Sequence, residues 1–117
     1  MVFRNICFTI NNTHEIPSIN LDKVQYYIIG KEYASTGTPH LQGYAELIGT
    51  HRLNAVKRIF GSNTMHIEKR RGTQDEAINY CKKDGDFVEH GIKKSGGRAN
   101  IKEAAMDRLE MLKVQSN

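Results

Sequence analysis

The stretch VQYYIIGKEYASTGTPHLQGYAELI, residues 24–48, decides the fold. Residues 24–33 are rich in β-branched and aromatic side chains and read as a strand; TGTP, residues 36–39, turns the chain into a second strand, HLQGYAELI, residues 40–48. The two pair as an antiparallel hairpin. Successive strand side chains point to opposite faces, so His40, Gln42, Tyr44 and Glu46 line one face and Leu41, Gly43, Ala45 and Leu47 the other. The second face reads as core. The first begins with an imidazole two residues from a carboxamide and is the place to look for chemistry.

Working outward, RNICFTIN (4–11) sets Ile6, Phe8 and Ile10 against Asn5, Cys7 and Thr9 and reads as another strand; a polar connection containing Pro17 and a short helical turn after Ser18 or Asn20 follow it. THRLNAVKRIFG (50–61) has Leu53, Val56 and Ile59/Phe60 at helical spacing, with Thr50 as N-cap and Gly61 as stop. TMHIEKR (64–70) is a strand. TQDEAINYCKKDG (73–85) pairs Thr73 with Glu76 in a capping-box pattern and ends at Gly85, which predicts a helix. DFVEHG (86–91) is a short last strand. The order predicts an α+β fold: an antiparallel sheet of about five strands with helices packed mainly on one face, close to the split βαβ and RRM-like arrangements. Residues 1–92 make the domain, 93–99 a Gly-rich linker, and 100–117 a terminal helix whose thin apolar stripe (Ile101, Ala104, Ala105, Leu109, Leu112) suits a partner face or an edge docked on the domain.

At 117 residues the chain holds one core, and with 26% charged and 38% hydrophobic residues it has the balance of a soluble globular protein. No apolar run approaches the roughly 20 residues of a membrane span, and Arg4 and Asn5 interrupt what a signal peptide would need as its apolar region. An intracellular protein is expected. Cys7 and Cys81 have no CxxC partner and read as small buried hydrophobes rather than a disulfide. The net charge of +4 is uneven: between residues 51 and 71, Arg52, Lys57, Arg58, Lys69, Arg70 and Arg71 face one acid, Glu68. Such a segment favours a polyanion, because neutralising phosphates releases condensed counterions; charge alone fits a solvated helix face and loop equally well.

Two constellations carry chemistry. If Glu32 lies on the same side of the hairpin as His40 and Gln42, a carboxylate, an imidazole and a carboxamide converge, a mixed N/O set suited to Mg²⁺ or Mn²⁺. His40 and Gln42 by themselves also fit a polar solvent face. On the helix, Glu76, Tyr80, Lys83 and Asp84 recur at spacings of three and four and share a stripe. A phenol with an unperturbed pKa near ~10 attacks phosphorus at neutral pH only with a cation to stabilise its phenolate. Lys83 is placed to supply part of that field and Asp84 an oxygen for a metal; Tyr and Lys at this spacing also occur as packing plus a solvated charge.

Taken together and in this order, CFTINN (7–12), HLQG (40–43) and YCKK (80–83), strengthened by HIEKRRGT and YCKKDGD, resemble the three motifs of HUH-superfamily replication initiators, specifically the Rep endonuclease domains of circular single-stranded DNA viruses, circovirus-like. The resemblance spans roughly residues 3–92. It implies that Tyr80 attacks a phosphodiester, frees a 3′-hydroxyl and keeps the 5′-phosphate. It further implies that His40, Gln42 and Glu32 hold a divalent cation, Mn²⁺ or Mg²⁺, with Asp84 nearby, and that Lys83 orients the tyrosine and phosphate. Phe8, Thr9, Asn11 and Asn12 fall in the first motif, tied to fold and origin recognition; Arg52, Lys57, Arg58, Lys69, Arg70 and Arg71 would track the DNA backbone. The implied partner is single-stranded DNA at an origin hairpin loop, the implied setting rolling-circle replication in a host nucleus, with a possible homo-oligomer in the full-length protein.

The competing reading is a non-catalytic RRM-like module stacking bases on Phe8, Tyr27 and Tyr44, although no RNP-type K/R-G-F/Y run is present. A zinc-stabilised domain drawn from Cys7, His14, His40, His51, His66, Cys81 and His90 lacks structural-site spacing. GIKKSGG imitates only part of a P-loop, so no ATPase is expected within these residues.

Overall fold

The computed structural model describes residues 1–95, and the predicted terminal helix and most of the linker lie outside them. Strand β1 runs Val2–Asn11, β2 Val24–Tyr33, β3 Pro39–Arg52, β4 His66–Lys69 and β5 Phe87–Gly91; helix α1 is Leu53–Ile59 and α2 Gln74–Lys82. A 3-10 turn at Leu21–Lys23 leads into β2, capped by the Asn20 side chain accepting from the Asp22 amide. The sheet is five-stranded in the order β4-β1-β3-β2-β5, and every pairing is antiparallel. This is the expected α+β class.

The hairpin β2–β3 pairs Tyr33 with Pro39, Glu32 with His40 and Gly30 with Gln42. Its loop closes with Ala34 donating to the Thr38 carbonyl at 2.8 Å, and Gly37 takes the left-handed conformation that the turn requires. Strand β3 is longer than its sequence suggests. After an irregularity its pairing with β1 resumes at Phe3↔His51 and Val2↔Arg52, so Thr50 lies within the strand and does not cap α1; Arg52 precedes the helix and makes no side-chain cap bond. The resumed pairing of His51 and Arg52 with β1 carries the strand past Thr50 before the helix starts.

The helices do not share a face, contrary to the expectation that they pack mainly on one. Val56, Ile59 and Phe60, in and just after α1, join Phe8, Ile29, Leu41, Ala45 and Leu47 in one apolar cluster. Ile78 and Cys81 of α2 join Tyr26, Ile28 and Tyr44 in another. Tyr44 and Ala45 are adjacent in β3 and point to opposite sides, so the clusters occupy opposite faces. The reason is topological. Helix α1 starts where β3 ends and folds back over the Ala45 side; α2 links β4 to β5, the two sheet edges, and must cross the sheet over the side left uncovered. Within the first cluster the Phe8 ring lies across Gly43, where a Cβ would come within 2.1 Å of its Cζ, and meets Phe60 at 5.0 Å between centroids.

Candidate active site

On the α2 side the three central strands set their side chains in rows. Asn11, His40 and Glu32 form one row across β1, β3 and β2, and Thr9, Gln42 and Gly30 the next. Glu32 is 4% exposed, and burying a carboxylate so deeply is tolerable only if it is paired. His40 Nε2 lies 2.9 Å from one of its oxygens, and the Lys83 ammonium donates to the other. His14 anchors the row from its end, with a ring nitrogen 2.6 Å from the Glu32 carbonyl. Gln42 is oriented by two longer bonds, its amide donating to the Phe8 carbonyl at 3.3 Å and its oxygen accepting from Thr9 Oγ1 at 3.3 Å.

Helix α2 brings the phenol to this row. The full capping box at Thr73 and Glu76 starts the helix, and Ile78 and Cys81 bury its inner side. Tyr80 stays on the outer edge, 54% exposed. The Lys83 ammonium sits 3.9 Å from the centre of the Tyr80 ring while bonding to Glu32, so one cation spans the phenol and the buried carboxylate–imidazole pair. Tyr80 and His40 therefore share one side of the sheet.

The close seating of α2 depends on Gly30, which carries a role that the motif reading missed. A Cβ at residue 30 would stand 2.2 Å from the Cys81 carbonyl oxygen, so only glycine lets the last turn of α2 rest on β2. A lone glycine inside a β-branched, aromatic run is the signal that could have found it. Burial pushes the Cys81 thiol beside the site up to about 12, and Cys7 is also raised, first by burial and then by the Glu68 charge, which favours the protonated thiol in both.

The remaining predicted residues divide. Lys69, Arg70 and Arg71 line a cleft of about 270 Å³ beside Tyr80, whose floor includes Cys7, Gln42 and Ala77. Asn11 and Asn12 are exposed at the end of β1 next to His40, Asn12 in the left-handed conformation, and Thr9 is half-buried under Gln42. Phe8 is 1% exposed under α1 on the opposite face and is a packing residue with no surface to offer DNA. Lys57 and Arg58 belong to α1 on that same far face. Arg52 closes β3 opposite Val2, seven positions along β1 from the Thr9 that pairs with Gln42, about 23 Å at a strand's usual rise. These three basic residues are not brought to the cleft. The stacking platform of the RRM-like alternative is absent too: Phe8 and Tyr44 are buried on opposite faces, and Tyr27 is covered by the His90 ring at 5.5 Å.

As donors for a hard divalent cation, Glu32, His40 and Gln42 fit in kind: two oxygens and one imidazole nitrogen, adjacent on one face, with the carboxylate buried. Among the described residues no three His, Cys, Asp or Glu side chains group as a metal site, and Asp84 is exposed.

Comparison with known proteins points one way. The family model described as "Putative viral replication protein" matches residues 3–84. The chain is similar to the replication-associated protein of pigeon circovirus, 38% identical over 84% of this chain and 32% of that protein. It is 34% identical to the replication-associated protein of human associated cyclovirus 1 over 92% of this chain and 40% of the relative. The master replication protein of banana bunchy top virus matches at 37% over 70% of this chain and 28% of its own length. The chain thus spans about a third of the length of the curated relatives it matches.

Proposed function

Because the chain belongs to the viral replication protein family, as a circovirus-like replication-associated domain, we propose that it nicks and rejoins single-stranded DNA at a viral origin hairpin loop to start rolling-circle replication. The observation that carries this reading is the Lys83 ammonium lying between the Tyr80 ring and the Glu32–His40 pair. A phosphodiester laid along that line meets an exposed phenol on one side and a buried polar cluster on the other.

In the proposed reaction Tyr80 Oη gives up its proton to solvent and forms a bond to phosphorus, the bond from phosphorus to the 3′-oxygen breaks, and the departing oxygen takes a proton from solvent to become a 3′-hydroxyl, with no net proton consumed. The 5′-phosphate stays on Tyr80. As a transesterification this conserves the bond, so the reverse attack by a 3′-hydroxyl rejoins strands at the same site. Lys83 places positive charge beside the phenol and the phosphate, where charge develops. Glu32 fixes Lys83 and His40, and Gly30 holds α2 low enough for Tyr80 to reach the row. Glu32, His40 and Gln42 would hold the divalent cation, which when bound supplies a Lewis acid for a non-bridging phosphate oxygen. The basic residues beside the cleft favour the backbone, and a single strand suits the site because paired bases would be hidden.

The test is covalent capture on a denaturing gel, using a panel of hairpin-loop oligonucleotides in Mg²⁺, Mn²⁺ and EDTA. A metal-dependent adduct that survives denaturation is expected. Binding with no adduct on any loop would leave a plain single-strand-binding domain.

A further inference from the structure

A second buried carboxylate lies three rows from the first and has no part in the proposed chemistry. Glu46 is 1% exposed. Its Oε2 accepts from the Tyr44 hydroxyl at 2.5 Å and from the Gln74 amide at 2.7 Å, and its Oε1 accepts from the Lys94 main-chain amide at 2.7 Å. Gln74 also donates to the Lys94 carbonyl at 2.8 Å, which closes the group against water. The Tyr44 hydroxyl, whose hydrogen bonds to Glu46, accepts from Arg70 Nη1 at 3.0 Å, and Arg70 Nε donates to the Gly72 carbonyl at 3.0 Å. Arg70 is one of the residues lining the cleft beside Tyr80.

From this chain of bonds we infer that Tyr44 and Glu46 are positioning residues that hold the Arg70 guanidinium in the cleft to receive a phosphate or base of the single strand next to the scissile bond. The inference rests on the proposed reading that the α2 face binds single-stranded DNA. Its logic is electrostatic. A direct Arg–Glu pair would neutralise the guanidinium, whereas a phenol between the two orients Arg70 and leaves its charge available. Among the described residues no carboxylate forms an ion pair with Arg70. Burial first, and then the bond to Glu46, raise the Tyr44 pKa, which keeps the spacer a neutral donor. Two of the five guanidinium N–H groups are spent on Tyr44 and Gly72, fixing the fork before a ligand arrives.

The experiment measures binding without cleavage: anisotropy of a dye-labelled, mixed-sequence single-stranded oligonucleotide in EDTA, on Tyr80→Phe protein. Absence of a covalent adduct in the capture assay therefore leaves this result untouched. Tyr44→Phe keeps the ring and removes the hydroxyl, and it should weaken binding about five- to tenfold, the scale of one lost oriented hydrogen bond. Arg70→Ala should weaken it at least as much and flatten the dependence of log affinity on log salt by about 0.7. In the Arg70→Ala background Tyr44→Phe should have no further effect. Glu46→Gln should follow Tyr44→Phe; if it fails to fold, the Tyr44–Arg70 cycle decides alone. Equal losses from Tyr44→Phe with and without Arg70, or full affinity in a cooperatively folded Tyr44→Phe protein, would overturn the inference.

Discussion

On the α1 face of the sheet, Phe8, Leu41, Ala45, Val56 and Phe60 make a continuous apolar layer; on the α2 face the same strands carry Glu32, His40, Gln42 and Glu46. Both faces are covered by a helix, yet they are held by different physics. The first is non-directional burial, which tolerates repacking at constant volume. The second adds to a smaller apolar cluster around Ile28, Ile78 and Cys81 a set of directed hydrogen bonds in which Glu32 and Glu46 each answer to donors from different elements. A buried polar network is stable only when satisfied, so the α2 face specifies positions that an apolar layer would leave loose. The α1 layer supplies the stability that lets its opposite be so polar.

Five substitutions separate the faces. The largest effect expected is from Tyr80→Phe on the α2 face: the covalent adduct disappears from the denaturing gel while oligonucleotide affinity stays within about twofold, since a solvent-exposed hydroxyl contributes little to binding. On the α1 face Phe8→Ala should do the reverse, costing about 3–5 kcal/mol in denaturant unfolding while the adduct formed per folded molecule is unchanged. Gly30→Ala attacks the seam between helix and sheet. Relieving its contact with the Cys81 carbonyl lifts α2, and adduct formation in a single-turnover assay should slow about 10²-fold, the cost of roughly an ångström of misplacement. The smallest effect is a contrast between exposed cations. Lys69→Ala, beside the cleft, should lower the salt slope of single-strand binding by about 0.7, whereas Arg58→Ala on α1 should leave it unchanged. Equal slopes for the two would mean that DNA does not distinguish the faces.

Much of this organisation is visible in one dimension. Alternation and β-branched, aromatic composition mark the strands, and the Thr73–Glu76 pair gives the start of α2, because those signals depend on residues within one turn or a few pleats of each other. The three motifs pick out Tyr80, Lys83, His40 and Gln42, which the folded chain gathers on one face, and Glu32 falls opposite His40 through nothing more than hairpin register. Phe8 and the 52–58 basic residues read as part of the same surface and are not. Proximity in a motif or a charge run says nothing about which side of a sheet a residue takes once a strand alternates or a helix turns back.

Local pattern was enough for the strands, the cap of α2 and the chemical kinds at the site, since hydrogen-bonding and burial preferences act over a few residues. Sheet order was needed for the rest. The Glu32–Lys83 contact joins positions 51 apart, and Tyr44 reaches Arg70 across 26. Such meetings exist only because α2 has to cross the sheet between its two edges, over a glycine that lets it settle, and no segment read alone contains that constraint.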